Sequence, residues 1–180
     1  DDLRRNAGIP ILDTSVYTMN QYAVDVFRNR GYSYRTIPFE LNFHEIRMLD
    51  THHSEVVLYG RVPVMVSSQC PKKTFGRCDK NPGWTMLTDR TGAEFPVFSD
   101  CSLCGSTVFN SLPTSLIREK QAVSHLGCSS GRLVFTDESP EDTSYAADAF
   151  GQVFLSDMHE SDADKQGRSD KDKELSDRSG

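Results

Sequence analysis

Short apolar runs take turns with helical stripes from Ile9 to Phe150, and few architectures accommodate that pattern. The runs are IPILD from Ile9, YSYRTIPF from Tyr32, EVVLYG from Glu55, STVFN from Ser106 and GRLVF from Gly131. After the first, Asn20 to Asn29 puts Tyr22, Ala23, Val26 and Phe27 on one helical stripe, and Gly31 stops it. Asn42 can cap a short helix carrying Phe43, Ile46 and Leu49. Two more helices are expected, from about Thr114 to Val123 and from about Pro140 to Phe150, the proline suiting a first helical turn. Strands that alternate with helices pair in parallel through right-handed crossovers. Five of them make either a small doubly wound sheet or part of a (β/α) barrel, and a whole barrel takes ~250 residues. Periodicity leaves both open.

The alternation breaks after EVVLYG, where the chain runs through VPVMVSSQCPKKTFGRC and reaches two cysteines, Cys70 and Cys78. Next comes WTMLTDRTGAEFPVF, with Asp89, Arg90, Thr91 and Gly92 between two strand-like runs, the pattern of a β-hairpin. Cys101 and Cys104 follow it, so residues 67–105 form a cysteine-rich insertion. The five cysteines are an odd number, and no secretory leader opens the chain, which argues against a disulfide framework. Thiolates bind zinc or iron–sulfur clusters, usually with four ligands drawn from flexible segments. The C-x₂-C spacing of Cys101 and Cys104 lets two sulfurs face one metal, while Cys70 and Cys78 bracket a loop containing Pro71 and Gly76. A redox dithiol and inert buried thiols are the competing readings. Cys128, just before a strand, is most simply a small core residue.

Composition narrows the function classes. No apolar run approaches the ~18 residues of a membrane helix, and the expected location is the cytoplasm. The first residue is Asp1, not Met, so the natural protein is expected to begin earlier. Net charge is -6, of which the stretch 156–180 holds eight acidic and five basic residues and no aromatic one. Such a stretch cannot bury enough surface to offset its ordering entropy, so a disordered charged tail is expected there. The remaining body is not basic enough for tight, nonspecific nucleic-acid binding.

In either parallel architecture, functional groups gather at the carboxyl ends of the strands. Those ends offer Asp13 and Thr14, Glu40 and Asn42, Tyr59 and Arg61, Asn110 and Ser111, then Thr136, Asp137 and Glu138. Singly, each is more often a helix cap or loop hydrogen bond; together they look like the lining of one site. No G-x-S-x-G elbow and no H-E-x-x-H occur. His52 and His53 would sit at the amino-terminal face, and no nucleophile is paired with a base by position.

The blocks VVLYGRVPVMVSSQCP, LTDRTGAEFPVFSDCSLC, VFNSLPTSL and GRLVFTDESPED resemble, in order and spacing, the C-terminal part of peptidase family U32, the collagenase-like proteins. The resemblance extends back to PFELN and covers roughly Ile9 to Phe150. It implies the last five strands of a TIM-like barrel over residues 1–155, the earlier strands belonging to a missing N-terminal part or a partner subunit. It also implies one of two activities: that of a peptidase, or oxygen-independent hydroxylation of an RNA base or a quinone ring, which uses a four-cysteine iron–sulfur cluster; zinc is the alternative metal. Carried over by position, Cys70, Cys78 and Cys104 match family cysteines. A further cysteine frequent in the family is Pro82 here, which leaves Cys101 to supply the fourth thiolate. Glu40, Arg61 and Asn110 fall on polar strand-end positions of the family, and Asn42, Tyr59 and Asp137 complete the expected substrate-binding set. A noncatalytic scaffold stapled by its metal is the reading from a different class.

Overall fold

The structure, a computed structural model, describes residues 9–155. In chain order its elements are β1 (Ile11–Leu12), α1 (Gln21–Asn29), β2 (Tyr34–Thr36), α2 (Phe43–Ile46), β3 (Ser54–Gly60), β4 (Pro63–Ser67), α3 (Pro71–Thr74), β5 (Gly83–Thr88), β6 (Glu94–Asp100), β7 (Gly105–Phe109), β8 (Thr114–Ser115), α4 (Lys120–Ser124), β9 (Ser130–Val134) and α5 (140–155). The chain divides into two compact units after Asp137. The second, among described residues, is α5 and its lead-in. Ser139 caps that helix, its hydroxyl accepting from the Asp142 amide at 3.1 Å, and Pro140 takes the first turn.

Two sheets build the first unit. In one, β1, β2 and β3 lie side by side in parallel, β9 pairs in parallel with β3, and the short β8 pairs antiparallel with the end of β3. The helices start where side chains can satisfy their first amides. The Asn20 side chain accepts from the Ala23 amide at 2.9 Å. Asn42 and Glu45 form a reciprocal capping box. Gly31, at φ +86°, supplies the left-handed residue after α1. Val24, Ile37, Ile46, Val56, Leu58 and Leu126 are buried; in α1 the buried residue is Val24, with Ala23, Val26 and Phe27 half-buried, while Tyr22 of the expected stripe is 79% exposed.

The architecture is mixed α/β, and among the described residues the parallel strands form an open sheet with no closed barrel. Two expectations are corrected. STVFN does not join the parallel sheet: β7 pairs antiparallel with β4 and β6. Its burial alternates, Ser106 and Val108 inward and their neighbours half-exposed, which is the signature of an antiparallel strand with one covered face. The helix expected from Thr114 begins only at Lys120, because β8 and a Leu116 amide bond to the Leu58 carbonyl (2.8 Å) tie that segment to β3.

The second sheet is wholly antiparallel, in the order β4-β7-β6-β5. The expected hairpin is β5 and β6, closed by Asp89, whose carboxylate accepts from the Thr91 and Ala93 amides. Val97 and Ser99 are fully buried at its centre. The tail expected at 156–180 lies outside the described residues.

Candidate functional site: a thiol-bearing sheet end and a strand-end cleft

Register places the cysteines. Ser67 of β4 faces Ser106 of β7, Ser106 faces Ser99 of β6, and Ser99 faces Gly83 of β5, so these residues make one row across the sheet. Beyond that row the chain leaves β4 toward Cys70 and leaves β6 into Cys101. It enters β7 from Cys104, and β5 from the loop that carries Cys78. All four cysteines therefore belong to one end of the antiparallel sheet. The strand beside β7 is β4, which follows β3 in the chain.

The thiols differ in environment. Cys70 is buried at the start of α3. The Lys73 amide, then the Ser99 hydroxyl and the Lys72 amide, hold its thiol below the ordinary cysteine value against the opposing effect of burial. Ser99 is fully buried and its hydroxyl has no hydrogen-bond partner of ordinary geometry. The Cys101 thiol is pushed up, first by burial and then by the charges of Cys78 and Cys70. Cys104 is exposed and takes a left-handed backbone, φ +50°, in the turn that Asp100 closes by accepting from the Ser102 amide and hydroxyl. Among the described residues, no group of three or more His, Cys, Asp or Glu side chains is gathered in the manner of metal ligands.

Cys128 stands apart at the opposite, amino-terminal end of the parallel sheet, where the Ser129 amide bonds to the Ser54 carbonyl. Burial pushes its thiol up to about 11, with the nearby Arg35 charge pulling the other way.

The carboxyl ends of β1, β3 and β9 open on a cleft of about 160 Å³ lined by Asp13, Thr14, Phe39, Arg61, Phe109, Arg132 and Thr136. Arg61 joins three of the expected residues. Its Nε donates to the Asp137 carboxylate at 2.6 Å, and its Nη1 donates to the carbonyls of Asn110 (3.0 Å) and Ser111 (2.6 Å). The other expected residues lie elsewhere. Glu40 is exposed. Asn42 is spent on its capping box at the start of α2, accepting from the His44 and Glu45 amides. Tyr59 packs its ring on Phe135 at 5.6 Å.

A second charged chain in the parallel sheet was not among the expected site residues. Arg132 pairs with Glu55 and reaches Asp13 at 3.8 Å, and the Thr36 hydroxyl donates to Glu55 at 2.5 Å. The signal was present as charges, Glu55 and Arg132, inside otherwise apolar runs, which a buried parallel strand carries only when they are paired.

Neither family models, nor curated proteins, nor solved structures give any match to the chain.

Proposed function

We propose that this chain is the C-terminal part of a U32-type enzyme, or of its partner subunit, whose cysteine sheet end binds an iron–sulfur cluster. The reaction served is oxygen-independent hydroxylation of an RNA base or a quinone ring. The observation that carries this is the register of the antiparallel sheet, which brings Cys70, Cys78, Cys101 and Cys104 to one end. The four thiols supply the donor type and number such a group takes, and they would have to draw together to hold it. Thiolates are the donors a cluster takes, four is the number it usually needs, and the amides and hydroxyl around Cys70 already favour its thiolate. A cluster there would supply one-electron transfer.

The strand-end cleft is the natural place for the ring. Arg61 and Arg132 bring donors to it, Asp13 and Thr136 bring polar oxygens, and Phe39 and Phe109 give flat walls. Cys104 precedes β7 and Phe109 ends it, so five steps at ~3.3 Å per residue separate that thiol from the cleft by roughly 16 Å. That spacing suits electron delivery, not direct ligation of substrate. It equally favours a second reading, in which zinc at the same thiols only staples the insertion.

Anaerobic purification followed by iron, acid-labile sulfide and zinc analysis separates the two. Iron with a matching amount of sulfide supports the cluster. Zinc alone supports the staple, and neither metal after reconstitution overturns both.

A further inference from the structure

Alongside the thiols runs a groove of about 400 Å³ between α3 with its following loop and the edge strand β5, lined by Pro71, Lys72, Phe75, Arg77, Thr85 and Leu87 with Met86. Its chemistry is unlike the rest of the molecule. From Pro71 to Lys80 the chain carries Lys72, Lys73, Arg77 and Lys80 against Asp79, a local excess of cations on a chain of net charge -6. Phe75 holds its ring out to solvent, 71% exposed, on a loop turned by Gly76. Lys72 is lightly held, donating to the Asn81 carbonyl at 3.2 Å and to Asp79 at 3.4 Å. No partner for the Arg77 guanidinium is found among the described residues, and the Thr85 hydroxyl on the groove wall is buried without a hydrogen bond.

An exposed flat ring, a guanidinium fork and a lysine ammonium along one groove match a ligand with an aromatic plane and an oxyanion joined by a few bonds. We infer that this groove binds a nucleotide unit, its base stacked on Phe75 and its phosphate held by Arg77 and Lys72. The unit has two sources, a free nucleotide or one link of a single-stranded nucleic acid. Exposed Lys73 and Lys80 on the same loop would track the neighbouring phosphates of a strand. The site is separate from the strand-end cleft and stands without the metal or the hydroxylation reading.

Fluorescence anisotropy on the full chain, as purified, tests it with a labelled single-stranded RNA of about twelve nucleotides and with unlabelled AMP and inorganic phosphate as competitors. AMP should displace the strand where phosphate at the same concentration does not. Phe75→Ala should weaken binding by roughly 5- to 100-fold, and Phe75→Tyr should restore it. Arg77→Gln should weaken it and lower the salt slope by about 0.7. Arg47→Ala, at the end of α2 in the other sheet's half of the chain, should change nothing. A strand that binds much more tightly than AMP identifies the strand as the source, and equal affinities identify the free nucleotide. The inference is overturned if neither ligand binds at millimolar concentration in low salt. It is also overturned if Phe75→Ala binds like the native chain, because the groove is then only an anion sink. Iron or zinc content is read in the same samples, so loss of metal and loss of nucleotide are scored separately.

Discussion

At the scale of single residues, the account rests on which thiols act together. Cys101→Ser and Cys104→Ser should each remove most of the bound metal and loosen the insertion, since a site that loses one of four ligands loses most of its affinity. Cys128→Ser should leave metal content unchanged, because its place is the other end of a different sheet. Elemental analysis of the three variants checks both halves. Cys128 also carries a pH signature. Its folded thiol titrates at about 11 against an ordinary 9.0, so its contribution to stability is whole below pH 9 and is lost as pH rises through 11. After discount for partial exposure the loss is about 1 kcal/mol. Cys128→Ala should flatten the alkaline arm of a chemical-denaturation profile by that amount. Arg61 makes a different kind of claim. Arg61→Ala, losing an ion pair and bonds to two carbonyls, should cost about 2–3 kcal/mol, and Arg61→Lys should recover little because an ammonium cannot span the three acceptors.

Among elements, what was legible in sequence was whatever has a local cause. Asn42 announced its helix because capping needs only the next few amides, and Asn20 caps α1 in the same way. The hairpin announced itself because Asp89 to Gly92 can satisfy a turn unaided. STVFN was misplaced because pairing is a long-range choice. Its alternating burial was visible, but the order in which strands neighbour one another is not written into any one strand. Arg61, Asn110 and Asp137 were found together because strand ends gather polar groups, while the Glu55–Arg132 pair was missed because a mid-strand charge was taken as part of the apolar run. Gly60 tests the element scale directly. It sits at φ +151°, and a Cβ there would lie 2.8 Å from the Val134 carbonyl oxygen, where β9 crosses closest to β3. Gly60→Ala should therefore lower stability by about 2 kcal/mol or more, read as a shift in denaturant midpoint without change in slope.

Over the whole molecule, the described fold is an open parallel sheet whose strand ends carry a cleft and an antiparallel sheet whose far end carries the thiols. No helix among the described residues is long and apolar enough to cross a membrane. The hydrolytic alternative needs an activated nucleophile beside a base. His52 and His53 lie tilted against each other with ring centres 4.7 Å apart, and His125 and the Ser124 hydroxyl each bond to the Gln121 carbonyl, so neither arrangement bonds a nucleophile to a base. The metal-loaded chain should accordingly leave gelatin and casein uncut, and copurifying activity abolished by one Ser or Cys substitution would contradict this. The central claim is that the sheet end is a thiolate metal centre. X-ray absorption at the edge of the bound metal tests that claim most directly, because it counts the atoms around the metal and identifies them. The account predicts a first shell of sulfur at about 2.3 Å, with iron neighbours beyond it if the centre is a cluster, and loss of that shell in Cys101→Ser. A shell of oxygen or nitrogen with no sulfur would contradict it.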